Sequence, residues 1–274
     1  MSESTGIEHR GASTELELLR EEVALLRRDA AGKDHQLELL REELAQQRRD
    51  AAVKERQLER YASDLNDNFK AERARAEELR GSFLDFVRAL ANAVEKRDTY
   101  TGAHAERVAA YGLELARRVD RELGTNPQLE FGFLLHDVGK LAIPDVILHK
   151  ADRLSDEERL LMRRHPVIGY EIVSGIESLA EAAKIVRHHH ERWDGSGYPS
   201  GLAGDEIPLA DRIFTVVDTL DAMTTERPYS PGSSVAEARA EIRAKAGTQF
   251  DPAVVAALDD IPDERLEEIR AKGA

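Results

Sequence analysis

Apolar residues in the first third of the chain recur at alternating steps of three and four. They fall at Leu16, Leu19, Val23, Leu26, Ala30, Lys33, Leu37, Leu40, Leu44, Gln47, Ala51, Lys54, Leu58, Tyr61 and Leu65 once three polar intruders are counted in phase. This is the a/d seam of a coiled coil. The positions between are almost all Glu, Arg, Asp, Lys or Gln, and proline is absent. The stretch LELLREEVALLRRDAAGKDHQ, from Leu16, returns as LELLREELAQQRRDAAVKERQ from Leu37. The period of 21 residues is three heptads, so the repeat keeps phase. A lone helix of this kind has no core, so pairing is expected, as a parallel homodimer. Lys33, Gln47 and Lys54 weaken the seam but can fix its register. Residues 16–61 at about 1.5 Å each predict a rod of roughly 70 Å.

Beyond Tyr61 the phase slips. The steps to Leu65 and Phe69 are both four, a stutter that unwinds a supercoil locally. Either the coil ends there, or the joint passes torsion to the domain beyond it. Residues 1–14 are polar, carry two glycines and show no period, which predicts disorder. From Phe83 onward the apolar spacing stays helical. Gly and Pro punctuate it at Gly102, Gly124–Pro127, Gly139, Pro144, Pro166, Gly175, Asp194–Gly204, Pro208, Pro228–Gly232 and Gly247–Pro252. The expectation is an all-α chain: a coiled-coil and signalling helix over 15–82, a compact helical domain over 83–256, and a short acidic helical tail over 257–274.

Composition narrows the function. The 274 residues hold 39 Lys+Arg against 53 Asp+Glu, a formal net charge of −14. Such a chain is not expected to coat nucleic acid, which needs a basic field. The rod's charges nearly cancel, so most of the negative excess belongs to the domain. Cysteine is absent, which excludes disulfide frameworks, thiolate metal sites and thiol nucleophiles. Any metal must be held by His and carboxylate. No apolar run reaches the ~20 residues of a membrane span. The start, MSESTGIEHR, lacks signal-peptide regions, which predicts a cytoplasmic location.

Histidines and carboxylates carry the candidate chemistry. In Leu134-Leu135-His136-Asp137-Val138-Gly139-Lys140 an apolar helix ends in adjacent His and Asp, with Gly139 at a plausible C-cap. A buried pair of this kind is either a satisfied core His with a capping Asp or a pair of metal ligands. In His188-His189-His190 neighbours lie about 100° apart on a helix, so all three cannot share one small site. The buried face marked by Ile185 and Val186 carries His189 and His190 and leaves His188 out. His104, His165 and the buried acid Asp218 complete a set of imidazoles and carboxylates. Without sulfur, that set suits Fe, Mn or a similar six-coordinate ion better than structural zinc.

These motifs resemble the bacterial HD-GYP domain. The resemblance rests on His136-Asp137-Val138-Gly139-Lys140, on His188-His189-His190-Glu191-Arg192-Trp193-Asp194-Gly195-Ser196-Gly197-Tyr198-Pro199, and on Arg97-Asp98-Thr99-Tyr100-Thr101-Gly102-Ala103-His104. Arg227-Pro228-Tyr229 and Gly247-Thr248-Gln249-Phe250-Asp251-Pro252 extend it over roughly residues 90–252. It implies an HD phosphohydrolase: all-α, metal-dependent, and hydrolysing cyclic di-GMP to pGpG, which many members take on to GMP. Carried over by position, the metal ligands are His104, His136, Asp137, His165, His189, His190 and Asp218. His136, Asp137 and Lys140 are catalytic, with Lys140 beside the scissile phosphate. Asp98, Asp221 and Arg227 join Lys140 as substrate contacts. Gly197, Tyr198 and Pro199 form a loop associated with docking of GGDEF-type cyclase domains; by its residues alone it is equally a tight turn.

The implied mechanism is attack on phosphorus by hydroxide generated at two divalent metals bridged by Asp137. Two departures stand out. Tyr100 occupies a position where some members place a third-metal Glu, which predicts a two-metal site. Ser230-Pro231-Gly232-Ser233-Ser234 replaces a commonly basic stretch. The alternatives are a catalytically weak scaffold acting through coil and loop, and a hydrolase of another cyclic dinucleotide.

Overall fold

In the computed structural model the chain is described over residues 5–97, 103–225 and 232–272. The long N-terminal pattern forms one helix, α1 (Thr5–Arg97). It begins inside the 1–14 stretch whose composition predicts disorder. Two glycines weaken a helix by about 1 kcal/mol each but, unlike proline, leave its hydrogen bonds intact. The chain divides into two units, Met1–Glu77 and Glu78–Ala274.

In the first unit the seam leucines are bare. Leu19 is 56% exposed, Leu37 50% and Leu58 67%. The polar contacts described there are local, such as Lys33 with Asp29 at 2.6 Å and Arg75 with Glu72 at 2.8 Å. Such exposed pairs add only a few tenths of a kcal/mol each.

The second unit continues with α2 (His104–Val119), α3 (Pro127–Leu135), α4 (Asp145–Leu148), α5 (Asp156–Met162), α6 (His165–Ser174) and α7 (Ala180–His188). Then come α8 (Leu209–Thr224), α9 (Val235–Ala244), α10 (Pro252–Asp259) and α11 (Asp263–Lys272). No strand occurs among the described residues; one isolated bridge joins Ala246 to Phe250. The helix starts are written locally. Asn126 accepts from Gln128 N at 2.9 Å ahead of Pro127, and Ser155 with Glu158 and Ser234 with Glu237 form capping boxes. The core gathers the inner faces of α2, α3, α7 and α8, with Val108, Phe133, Val186, Phe214 and Val217 fully buried.

The expected tail is part of this core. The 256/257 boundary cuts through α10, and α11 buries Leu266 completely and Ile269 to 6% exposure. These two sit three apart on one face, a spacing that reads as packing once a partner exists. Tyr111 donates its hydroxyl to Leu266 O at 3.3 Å, and Arg239 donates to Leu258 O at 2.6 Å and to Ile261 O. No helix is long and apolar enough to cross a membrane among the described residues.

Candidate metal centre

Three of the candidate histidines share one local device. His136 follows α3, His165 stands three residues after Met162 at the end of α5, and His189 follows α7. Helix ends leave carbonyls unpaired. Each Nδ1–H donates to the carbonyl three residues back, Phe133 O, Met162 O and Val186 O, all at 2.8 Å. A carbonyl only accepts, so Nδ1 carries the proton and Nε2 is left to face inward.

A glycine contact brings these ends together. A Cβ on Gly139 would lie 1.9 Å from His165 O and 2.6 Å from Gly169 N; one on Gly169 would lie 2.7 Å from Val186 Cγ1. Without side chains here, the 3-10 turn Val138–Ala142 rests directly on α6. Gly139 is therefore required for close approach, not as the helix C-cap that its position suggested; His136 is the C-cap.

The candidate ligand atoms collect into two triads. His104, His136 and Asp218 form one; His165, His189 and His190 form the other, with the atoms of each within 4.8 Å of one another. Asp137 stands between them. Its Oδ2 is 3.2 Å from His136 Nε2 and its Oδ1 is 3.3 Å from His165 Nε2. Lys140 Nζ donates to Asp137 Oδ2 at 2.7 Å. The model of the HD domain family matches residues 88–254 of this sequence. The chain belongs to the HD-domain family.

Three relatives are similar to this chain in sequence. The cyclic di-GMP phosphodiesterase response regulator RpfG of Xanthomonas campestris is 43% identical over 175 residues, 62% of this chain and 45% of that one. A protein of Vibrio cholerae named 3′3′-cGAMP-specific phosphodiesterase 2 is 41% identical over 189 residues, 68% of this chain and 36% of that one. A cyclic di-GMP phosphodiesterase of Thermotoga maritima is 42% identical over 170 residues, 60% and 45% of the two chains. The chain thus spans less than half the length of each relative.

The electrostatics of the HD-domain cluster fit a divalent metal. Burial pushes the His189 imidazole well below its usual range, and it takes His190 down to about 3, with neighbouring His165 adding to the fall. Both are neutral, the state a ligand needs. Burial alone would raise the Asp137 carboxyl, but Lys140 and then His136 outweigh it and hold it well below the usual carboxylate range. His189 Nε2 lies 3.1 Å from His165 Nε2, so both ring nitrogens converge on one point where a shared cation would fit. With no cysteine in the chain, the donors are nitrogen and oxygen throughout.

Asp221 corrects one expectation. It is 1% exposed and cannot reach a substrate in the cleft. It lies behind the candidate ligand His104, with Oδ2 2.7 Å from His104 Nδ1, and it accepts from Arg107 Nε at 2.7 Å and Nη2 at 3.1 Å. Burial opposes ionisation of both partners, but their hydrogen bond prevails: the His104 imidazole is raised and the Asp221 carboxyl lowered. A carboxylate behind a metal-binding imidazole fixes its ring and raises its basicity. Arg107 follows His104 by three residues, one turn along α2, the only trace of this role in the sequence. Asp98, Tyr100 and Arg227 lie outside the described residues.

The loop after α7 folds back onto the centre. The Tyr198 ring stacks on His190 at 4.7 Å and 24°, with the Arg163 guanidinium 4.9 Å from the ring centroid. Tyr198, in the loop that reads as either a docking point or a tight turn, is half-buried. A Cβ on Gly197 would lie 2.4 Å from Arg192 N, so glycine permits the fold-back. Glu191, 1% exposed, ties the loop down by accepting from Ser200 N at 2.7 Å and Leu202 N at 3.2 Å. Sequence reasoning missed Glu191 because its partners are backbone groups. His188 is outside both triads, as its helix face predicted. A cleft of about 230 Å³ opens beside His190, Asp218 and Tyr198, with Thr215, Thr219 and Gln249 on its wall. A larger cavity of about 340 Å³ near Arg117 and Arg265 holds none of the candidate ligand histidines.

Proposed function

We propose that this HD domain is a metal-dependent phosphodiesterase that hydrolyses cyclic di-GMP to pGpG. The observation that carries the reading is the pair of triads with one carboxylate oxygen of Asp137 turned to each. His104, His136 and Asp218 would hold one ion, His165, His189 and His190 the other, with Asp137 shared. When bound, two divalent ions, Fe or Mn by the donor set, supply Lewis acidity that lowers the pKa of water and offsets phosphoryl charge.

The chain's own groups do the rest. Carbonyl-anchored Nδ1 protons hold three Nε2 atoms inward, so no reorganisation is needed when charge develops. The Lys140 ammonium, placed by its 2.7 Å bond to Asp137, adds positive charge at the edge of the centre. Arg163 brings a second cation to the cleft wall, and Thr215, Thr219 and Gln249 offer hydrogen bonds to a sugar or base. An acidic protein thereby supports an anionic substrate: the cations are local to the site.

A second reading has its own support. The Vibrio cholerae relative, named for 3′3′-cGAMP, is nearly as similar as the two named for cyclic di-GMP. The deciding experiment combines metal analysis with product chromatography on both dinucleotides. Faster turnover of cyclic di-GMP supports the first reading and faster turnover of 3′3′-cGAMP the second. Metal loading without turnover of either would sink both and favour the scaffold alternative. Asp98 and Arg227 as substrate contacts, a parallel homodimer through the bare seam of α1, and docking of a GGDEF-domain protein at the Gly197-Tyr198-Pro199 loop complete the proposal.

A further inference from the structure

Helix α2 begins at a metal-ligand candidate, His104, and begins badly. Its N-cap, Ala103, sits at φ 72° and has no side chain able to accept a hydrogen bond. The first N–H groups of a helix need acceptors. One comes from outside: Glu95, in the last turn of α1, accepts the backbone N–H of Ala105 through Oε1. Glu95 is 6% exposed, and with His136 and Asp137 it lines a small cavity of about 10 Å³. A carboxylate at this place also complements the positive end of α2.

Two residues on, Arg97 grips the opposite side of the centre. Its Nη1 donates to Lys140 O and Leu141 O, both at 2.8 Å. Its Nη2 donates to Ile143 O and to Asp145 Oδ1, also at 2.8 Å. The Arg97 carbonyl in turn accepts from His149 Nε2 at 2.6 Å. These groups lie in the 3-10 turn that carries Lys140, in Ile143 just after it, and at the two ends of α4. One planar guanidinium serves Lys140 O, Leu141 O, Ile143 O and Asp145 Oδ1 together, which a lysine ammonium cannot do.

We infer that the last turn of α1 positions both sides of the metal centre, Glu95 by capping the helix that begins at His104 and Arg97 by holding the turn that bears Lys140. Both are positioning residues: neither is a ligand, and each acts through backbone it restrains. The inference deepens the phosphodiesterase reading and rests on it for its chemistry. The restraint itself is a matter of geometry.

The test uses the full-length, metal-loaded chain and compares Glu95→Ala, Glu95→Gln, Arg97→Ala and Arg97→Lys. Metal affinity, hydrogen exchange, melting temperature and steady-state kinetics are read for each. Glu95→Ala should weaken metal binding by roughly 10–100-fold and raise exchange in residues 104–108. Glu95→Gln, which keeps an acceptor oxygen, should restore both. Arg97→Ala should raise exchange over residues 138–145 and lower kcat more than it changes KM, with metal content unchanged; Arg97→Lys should not rescue it. Wild-type metal affinity and exchange in Glu95→Ala would overturn the inference. So would a Glu95→Gln protein as damaged as Glu95→Ala, an outcome that decides the matter even if the alanine variant unfolds. A wild-type protein that binds metal but cleaves neither dinucleotide would sink the functional reading, while the exchange and affinity comparisons would still decide this one.

Discussion

The two units use the same residue types to opposite ends. In Met1–Glu77 a leucine is about half exposed and a charge pairs one turn away, so every feature is local and periodic. In Glu78–Ala274 leucines such as Leu115, Leu220 and Leu266 are fully buried in a core, and the pairs that matter span the chain: His104 and Asp221 are 117 residues apart. The lesson is that a residue's role depends on what it meets. Glycine shows it best. A Cβ on Gly32 would meet nothing within 4 Å, whereas one on Gly139 would collide with the His165 carbonyl.

Substitutions in each unit can break or sharpen that contrast. The largest effect should come from Asp137→Ala, which removes the carboxylate between the triads. Hydrolysis of a cyclic dinucleotide should fall by at least about a thousandfold, and measurable turnover near the wild-type rate would refute the site. Next, Leu37→Lys with Leu40→Lys should abolish self-association, seen as a monomer in sedimentation. Melting of the second unit should move by no more than about 0.5 kcal/mol, because its core lies elsewhere. An unchanged dimer would show that the rod does not pair through this seam. Gly139→Ala should then cost about 3 kcal/mol, a melting point lower by roughly 6–12 °C; wild-type melting would mean that the turn on α6 has room to spare.

Two smaller effects test charge and conformation. Asp211 is fully buried, and neither of its carboxylate oxygens has a hydrogen-bond partner among the described residues. Burial, and then the nearby Glu191, holds this carboxyl well above the usual range. The folded protein therefore keeps a proton that the unfolded chain releases. The stability it contributes is fully present below the unfolded value of 3.8 and is lost as pH rises. Asp211→Asn should leave stability unchanged near pH 4 and raise it by about 1–2 kcal/mol at pH 8; equal effects at both would refute the assignment. Smallest of all, Gly32→Ala should stabilise the rod by about 1 kcal/mol in a thermal melt of its helix. A loss there would reveal a partner packed against that position.

Much of the molecule was legible in its sequence. The heptad seam, the 21-residue repeat, and the choice of His189 and His190 over His188 all come from short-range periodicity. So does the absence of thiolate chemistry, since composition alone excludes it. These are properties of neighbouring residues, and neighbours are what a sequence records directly.

Long-range placement was decided only by the tertiary fold. Asp221 read as a substrate contact and proved to be the carboxylate behind His104, because only folding shows which face of α8 meets α2. The acidic tail became core once Leu266 and Ile269 found partners. Tyr198, in a loop that reads equally as a docking point or a tight turn, proved to stack on His190. The roles of Glu95, Arg97 and Glu191 escaped notice because they act mainly on backbone groups, and every residue carries the same backbone. Side-chain chemistry is encoded position by position. Which backbone it restrains depends on segments far apart in the chain being brought into contact.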